Sequence, residues 1–154
     1  MMMMSRQDRD DRRIVVGVDG SPSSMAALRW AILQAELTGC TVEAVTAWRL
    51  PSRYGFAAVT DRARDFEGDA RKILADALNE VSSVEPDVVI RLFVVKGHPA
   101  EVLVRAACGA DMLVVGSRGY GGFTGALLGS VSQYCVHHAP CPVLVIRGTG
   151  WGGQ

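Results

Sequence analysis

The sequence predicts a single α/β domain built around a parallel sheet. Two observations carry this. Short apolar, β-branched runs alternate with segments of helical periodicity along the whole chain, and the runs are continuous rather than alternating, as strands covered on both faces require. At 154 residues the chain is the size of one domain, and neither an internal repeat nor a linker divides it.

Ile14 to Val18 is the first such run. Asp19-Gly20-Ser21-Pro22 breaks it, and Ser21 before Pro22 signals a helix start, because proline at the first helical position has no need of its missing N–H. Met25, Leu28, Ile32 and Leu33 follow at helical spacing, and Gly39 stops the helix. Thr41 to Trp48 is the second strand. Leu50 to Thr60 reads as a loop, and a long polar helix from about Asp61 to Val84 carries Ile73, Leu74, Ala77, Leu78 and Val81 as one apolar stripe. Val88 to Val95 is the third strand. Gly97-His98-Pro99 turns into a helix bearing Val102, Leu103 and Ala106 that Gly109 ends, with His98 read as part of the helix entry rather than as a base. Met112 to Val115 is the fourth strand. A glycine-rich loop leads to a helix from Ser130 to about His138, whose His137 and His138 suit the negative end of the dipole, and Val143 to Ile146 is the fifth strand. Trp30, Trp48 and Tyr134 stand where core packing explains them.

Lys plus Arg and Asp plus Glu balance at 16 each, so no global field draws the chain to nucleic acid or to an acidic membrane face, and a small molecule or another protein is the expected partner. The apolar runs fall far short of a membrane span. Residues 1–12, with four methionines and then mixed charge, lack a secretory pattern and read as a disordered tail. Residues 148–154 read as a flexible one, and cytoplasmic residence follows by default. The four cysteines are widely and irregularly spaced, without C-x-x-C, and are read as free thiols. Cys135, His137, His138 and Cys141 straddle a proline turn, so their side chains are expected to point apart.

The most informative segment is Gly116-Ser117-Arg118-Gly119, followed after nine residues by Gly129-Ser130. A buried strand running into glycines and then a helix N-terminus makes an anion site, because loop and first-turn N–H groups converge on phosphate oxygens. Six glycines in the fourteen residues from Gly116 to Gly129 cost a mere connector much unfolded-state entropy. In an open doubly wound sheet the ligand sits beyond the strand ends where the order reverses. With five strands in the order 3-2-1-4-5, Asp19 at the end of the first faces Gly116 at the end of the fourth across one crevice. Asp19 can accept from a ribose or hold a cation bound to phosphates, or simply begin the turn. Ser130 and Gln133 form a capping box that a helix can need without any ligand. Arg118, the one charge in the loop, suits a phosphate or plain solvation. No G-x-x-x-x-G-K-[ST], G-x-G-x-x-G or G-x-S-x-G is present, and nothing in the loop supplies a general base, so binding is favoured over catalysis and no catalytic residue is assigned.

From Arg13 to Arg147 the chain resembles the universal stress protein family, in its ATP-binding branch. The resemblance rests on Val15-Val16-Gly17-Val18-Asp19-Gly20-Ser21, on Val114-Val115-Gly116-Ser117-Arg118-Gly119, on G-x2-G-x9-G-[ST] filled by Gly116, Gly119, Gly129 and Ser130, and on Pro140-Cys141-Pro142-Val143-Leu144-Val145. It implies a domain over 13–147 with a Rossmann-like three-layer fold (adenine nucleotide alpha hydrolase-like), binding ATP with Mg²⁺ as a stress-response sensor or regulator. Carried over, Asp19 contacts the ribose or metal side, Gly17 and Val18 line the adenine pocket, and Ala47 meets adenine through its backbone. Val115 and Gly116 flank the sugar, and Gly119, Gly129, Ser130, Val131 and Ser132 hold phosphates. The resemblance also implies a homodimer through Val143 to Ile146. A slow ATPase with Asp19 orienting a metal, an AMP or cyclic-AMP module, and a nucleotide-free scaffold stand beside this reading.

Overall fold

The computed structural model describes residues 12–50, 59–82, 87–118 and 128–148. The expected tails at 1–11 and 149–154, most of the first long loop, Val84 and the loop glycines Gly119, Gly121, Gly122 and Gly125 lie outside them.

Five parallel strands, β1 (Arg13–Gly17), β2 (Thr41–Trp48), β3 (Ile90–Lys96), β4 (Met112–Gly116) and β5 (Val143–Ile146), form one sheet in the order β3-β2-β1-β4-β5. Four helices connect them among the described residues: α1 (Pro22–Thr38), α2 (Val59–Val81), α3 (Pro99–Ala106) and α4 (Ser130–His138). The architecture is the one expected. Strand side chains alternate between two cores because successive Cβ atoms point to opposite faces. Ile14, Val16, Val42, Ala44, Val114 and Ile146 pack under α1 and α2, whereas Val15, Val45, Leu113 and Val115 pack under α3 and α4. Ile14 lies beside Val42 on one side and Met112 on the other, so β1 is central and the order reverses between β1 and β4.

Local chemistry explains the helix ends. Ser21 caps α1, its hydroxyl accepting from the Ser24 N–H at 3.3 Å, with Pro22 opening the helix. Gly39 stops it at φ 78, where its N–H reaches the Ala35 carbonyl at 2.8 Å and glycine alone avoids a Cβ penalty. Met25, Leu28, Ile32 and Ala35 bury one face of α1, while Leu33 faces out. His98 caps α3, its Nδ1 accepting from the Ala100 N–H at 3.2 Å. At the other end of that helix Arg13 donates to the carbonyls of Ala106 and Cys108, and its Nε lies 3.3 Å from Glu43, a cation placed at the negative end of the dipole.

Several expectations shift. The long helix begins at Val59, two residues before Asp61, and the third strand runs Ile90–Lys96 rather than from Val88. Cα register explains the second change: β3 pairs from Val42–Ile90 to Trp48–Lys96, and Lys96 lies over the Trp48 ring. α3 ends at the Ala107 cap, and Gly109 instead takes φ 78 in the turn beyond it. Tyr134 does not enter the core. It is exposed and stacks on His138 at 4.3 Å, because Cys135 is the residue of that turn that α4 points inward. His137 and His138 face out and Cys141 is half-buried, so that cluster diverges, and no three metal-ligating side chains converge among the described residues.

Candidate functional site

β1 and β4 end side by side, and a cavity of about 400 Å³ opens beyond them. The structure brings Gly17, Val18, Asp19, Ala47, Val115, Gly116, Arg118, Gly129, Ser130, Val131 and Ser132 to its wall. Gly119 is outside the described residues. Sequence reasoning missed Ser21, Ser24, Val45, Pro99 and Leu103, which line it too. In the sequence Ser21 reads as a helix-start residue, Ser24 carries no signal of its own, and Pro99 and Leu103 read as a helix entry and its apolar stripe.

The cavity has two ends of different chemistry. At the apolar end Val45, Ala47, Pro99 and Leu103 surround Gly17, where an added Cβ would lie 2.8 Å from Leu103 Cδ1. Glycine there lets the Leu103 side chain of α3 pack directly onto the strand end. The backbone of Val18 is held on both sides: its N–H donates to Val45 O at 2.9 Å and its carbonyl accepts from Thr46 Oγ1 at 2.8 Å.

The polar end is built from two helix N-termini. Asp19 is exposed, and its Oδ1 accepts from the Ser21 N–H at 2.8 Å, so the local turn role weighed from the sequence is present. Among the described residues only that oxygen is engaged. Opposite, the capping box does not form. Gly129 rather than Ser130 holds the extended N-cap conformation, at φ −72 and ψ 168, and α4 has no side-chain cap bond. Ser130 is thereby one residue inside the helix, where its hydroxyl cannot reach back, and Gln133 Nε2 turns to Leu128 O at 3.4 Å. The consequence is chemical: first-turn N–H groups of α4 border the cavity without a carboxylate or hydroxyl cap, which is the arrangement that attracts an anion.

Ser117 closes the neck of the glycine loop. Its carbonyl accepts from the Gly129 N–H at 2.6 Å and from Ser132 Oγ at 3.2 Å, and its own N–H donates to Ile146 O at 2.8 Å. Ser132 is 2% exposed and also donates to Gly129 O at 3.0 Å, so it serves the loop base as well as the cavity wall. Beneath α4, burial foremost and then the charge of Cys141 push the Cys135 thiol up to about 11, leaving it a neutral core group.

Residues 11–147 match the model of the universal stress protein family. A universal stress protein of Mycobacterium tuberculosis, Rv1996, is 38% identical over 137 residues, covering 87% of this chain and 43% of its own length. The chain thus spans somewhat less than half of that curated relative. Among solved structures, UspA from Lactobacillus plantarum superposes at a TM-score of 0.78 with 22% identity, over 90% of this chain and 99% of its own, and shares the fold. A universal stress protein in complex with cAMP is 30% identical at TM-score 0.67, over 90% of this chain and 98% of its own. One from Archaeoglobus fulgidus in complex with dAMP is 25% identical at 0.63, over 88% and 97%.

Proposed function

The chain belongs to the universal stress protein family, and on that premise we propose that its cavity holds an adenine nucleotide, ATP with Mg²⁺, and that occupancy rather than turnover is its output as a cytoplasmic stress-response sensor or regulator. The observation that carries the reading is the N-terminus of α4, free of a side-chain cap and bordering a cavity whose other end is apolar. A base fits in the cavity against the wall that Gly17, Val18, Ala47, Pro99 and Leu103 line, the ribose reaches toward Asp19, and the phosphates lie against Gly129, Ser130, Val131 and Ser132. Gly119 belongs to this phosphate set by its place in the motif.

Mg²⁺ suits such a site, since it keeps several waters and takes one or two carboxylates plus phosphates. Asp19 supplies the protein carboxylate, with Oδ1 committed to the turn and Oδ2 left to the ion or to one of its waters. When bound, the ion neutralises phosphate charge.

Isothermal titration with ATP and Mg²⁺ tests the reading. Binding in the wild type, lost in Gly119→Val and Gly129→Val, supports it, and two variants that bind like wild type overturn the site. A phosphate-release assay stays flat if the output is occupancy, whereas turnover abolished by Asp19→Ala would establish the ATPase alternative.

The cAMP complex of the 30% identical relative favours a second reading, a module for AMP or cyclic AMP. Competition among ATP, AMP and cyclic AMP decides between them. We also propose homodimerisation through β5, whose Val143, Leu144 and Val145 are only half-buried on an edge strand without a charge to blunt it. Light scattering should give twice the chain mass, falling to one in Val145→Lys. No helix among the described residues is long and apolar enough to cross a membrane.

A further inference from the structure

We propose that Ser23 is a positioning residue that sets the phosphate end of the cavity without lining it, by fixing the peptide of Arg118 where the chain leaves β4 for the glycine segment. Ser23 is 6% exposed in the first turn of α1. Its hydroxyl donates to the Arg118 carbonyl and accepts from the Arg118 N–H at 3.3 Å, so one side chain holds both polar groups of a single residue. Ser21 Oγ adds a longer contact to the same carbonyl, at 3.4 Å.

The space around Ser23 leaves it no alternative position. A Cβ added to Gly116 would lie 2.7 Å from the Ser23 carbonyl carbon, and one added to Gly148 would lie 2.8 Å from its Cα and 2.9 Å from its Cβ. Three backbone segments therefore meet at this residue: the end of β4, the start of the glycine segment, and the exit of β5. Arg118 lies on the cavity wall with Gly129 and Ser130, whereas Ser23 is absent from it. A hydroxyl that fixes a loop peptide before the ligand arrives lowers the ordering cost of gripping phosphate and does nothing for the base.

The inference rests on the nucleotide reading, and the test separates the two. Affinities for ATP with Mg²⁺ and for adenosine, which has no phosphate, are measured on wild type, Ser23→Ala and Gly148→Ala. Ser23→Ala removes the hydroxyl at nearly constant volume, and Gly148→Ala displaces Ser23 from its far side with every cavity residue retained. Both should weaken ATP about tenfold while changing adenosine less than about threefold. Val81→Ala, a truncation of a buried α2 residue that is absent from the cavity wall, should lower the unfolding temperature and leave the ATP-to-adenosine ratio unchanged. A ratio unchanged in both test variants, or one that Val81→Ala moves as much, overturns the positioning role while leaving nucleotide binding in place. A wild type that binds neither ligand overturns the nucleotide reading and this inference with it.

Discussion

Gly116→Ala places one methyl group at the end of β4, against the first turn of α1. The new Cβ would lie 2.7 Å from the Ser23 carbonyl carbon and 2.8 Å from the Ser24 nitrogen. Ordinary carbon contacts begin near ~3.5 Å, so the helix start or the strand end must move by roughly 0.8 Å. The Ser23 hydroxyl would be nearer still, but the other two atoms are backbone, and no rotamer change relieves them. The segment that must yield is also tied by the Ser21–Asp19 bond at 2.8 Å and the Ser24–Ser21 cap at 3.3 Å. Overpacking of this kind costs about 1–3 kcal/mol. At about 2–4 °C per kcal/mol for a chain of this size, the unliganded protein should melt about 2–12 °C lower. Since the displaced turn borders the phosphate end, affinity should fall as well. A tenfold weakening at fixed saturating ATP removes a further ~1.4 kcal/mol of ligand stabilisation. The assay is differential scanning fluorimetry with and without ATP and Mg²⁺, backed by titration calorimetry. Adding Ser23→Ala to Gly116→Ala removes the hydroxyl but should not restore the wild-type melting temperature, because the two main-chain obstacles remain. Wild-type melting and affinity in Gly116→Ala, or full rescue by the second substitution, would refute the steric reasoning.

Three further outcomes follow from particular residues. Leu28→Ala empties a 1% exposed site between α1 and the sheet and should lose about 2–5 kcal/mol in urea unfolding, with the denaturant slope unchanged. His98→Ala removes the cap of α3 and should cost about 1 kcal/mol, read by the same unfolding curves; a neutral result would mean water replaces the Nδ1 contact at no cost. The thiol of Cys135 makes stability fall in alkali. Its folded pKa is raised from the ordinary 9.0 to about 11, so below 9.0 both folded and unfolded chains hold the neutral thiol and stability is full. Between 9.0 and about 11 the unfolded chain ionises first and stability drains away. Urea unfolding across that window should show a shallower decline in Cys135→Ala than in wild type, and parallel declines would count against this assignment.

How much of this could be read in advance depended on where the information sits. Ser21-Pro22 and Gly39 marked the ends of α1 because capping is a local affair, decided by the residues at the end itself. The order 3-2-1-4-5 is where the reversal most often falls in a five-stranded doubly wound sheet, and on it Asp19 and Gly116 meet across the cleft. Ser130-x-x-Gln133 misled because the cap falls one residue earlier, at Gly129, whose N–H is held by the Ser117 carbonyl at the end of β4, a partner with no local signature. Tyr134 misled for a related reason, since only the packing partner of α4 decides which of two adjacent apolar side chains turns inward. Pro99 and Leu103 lie at the cavity through the packing of α3 across β1 and β2, a tertiary fact with no local signature.

The reversal of strand order between β1 and β4 has a consequence for biogenesis. Residues near the two strands' starts that bond to each other, Arg13 and Asp111, are 98 positions apart. At ribosomal rates of about 5–20 residues per second, roughly 5–20 s pass before β1 can meet its second neighbour. Until then the nascent chain holds only the β3-β2-β1 half, with one flank of β1 open and half of the cavity absent. Nucleotide therefore cannot template the early stages of folding. It can only reward completion, and a chaperone that shields the flank of β1 during that interval would raise the yield of binding-competent protein without touching the pocket.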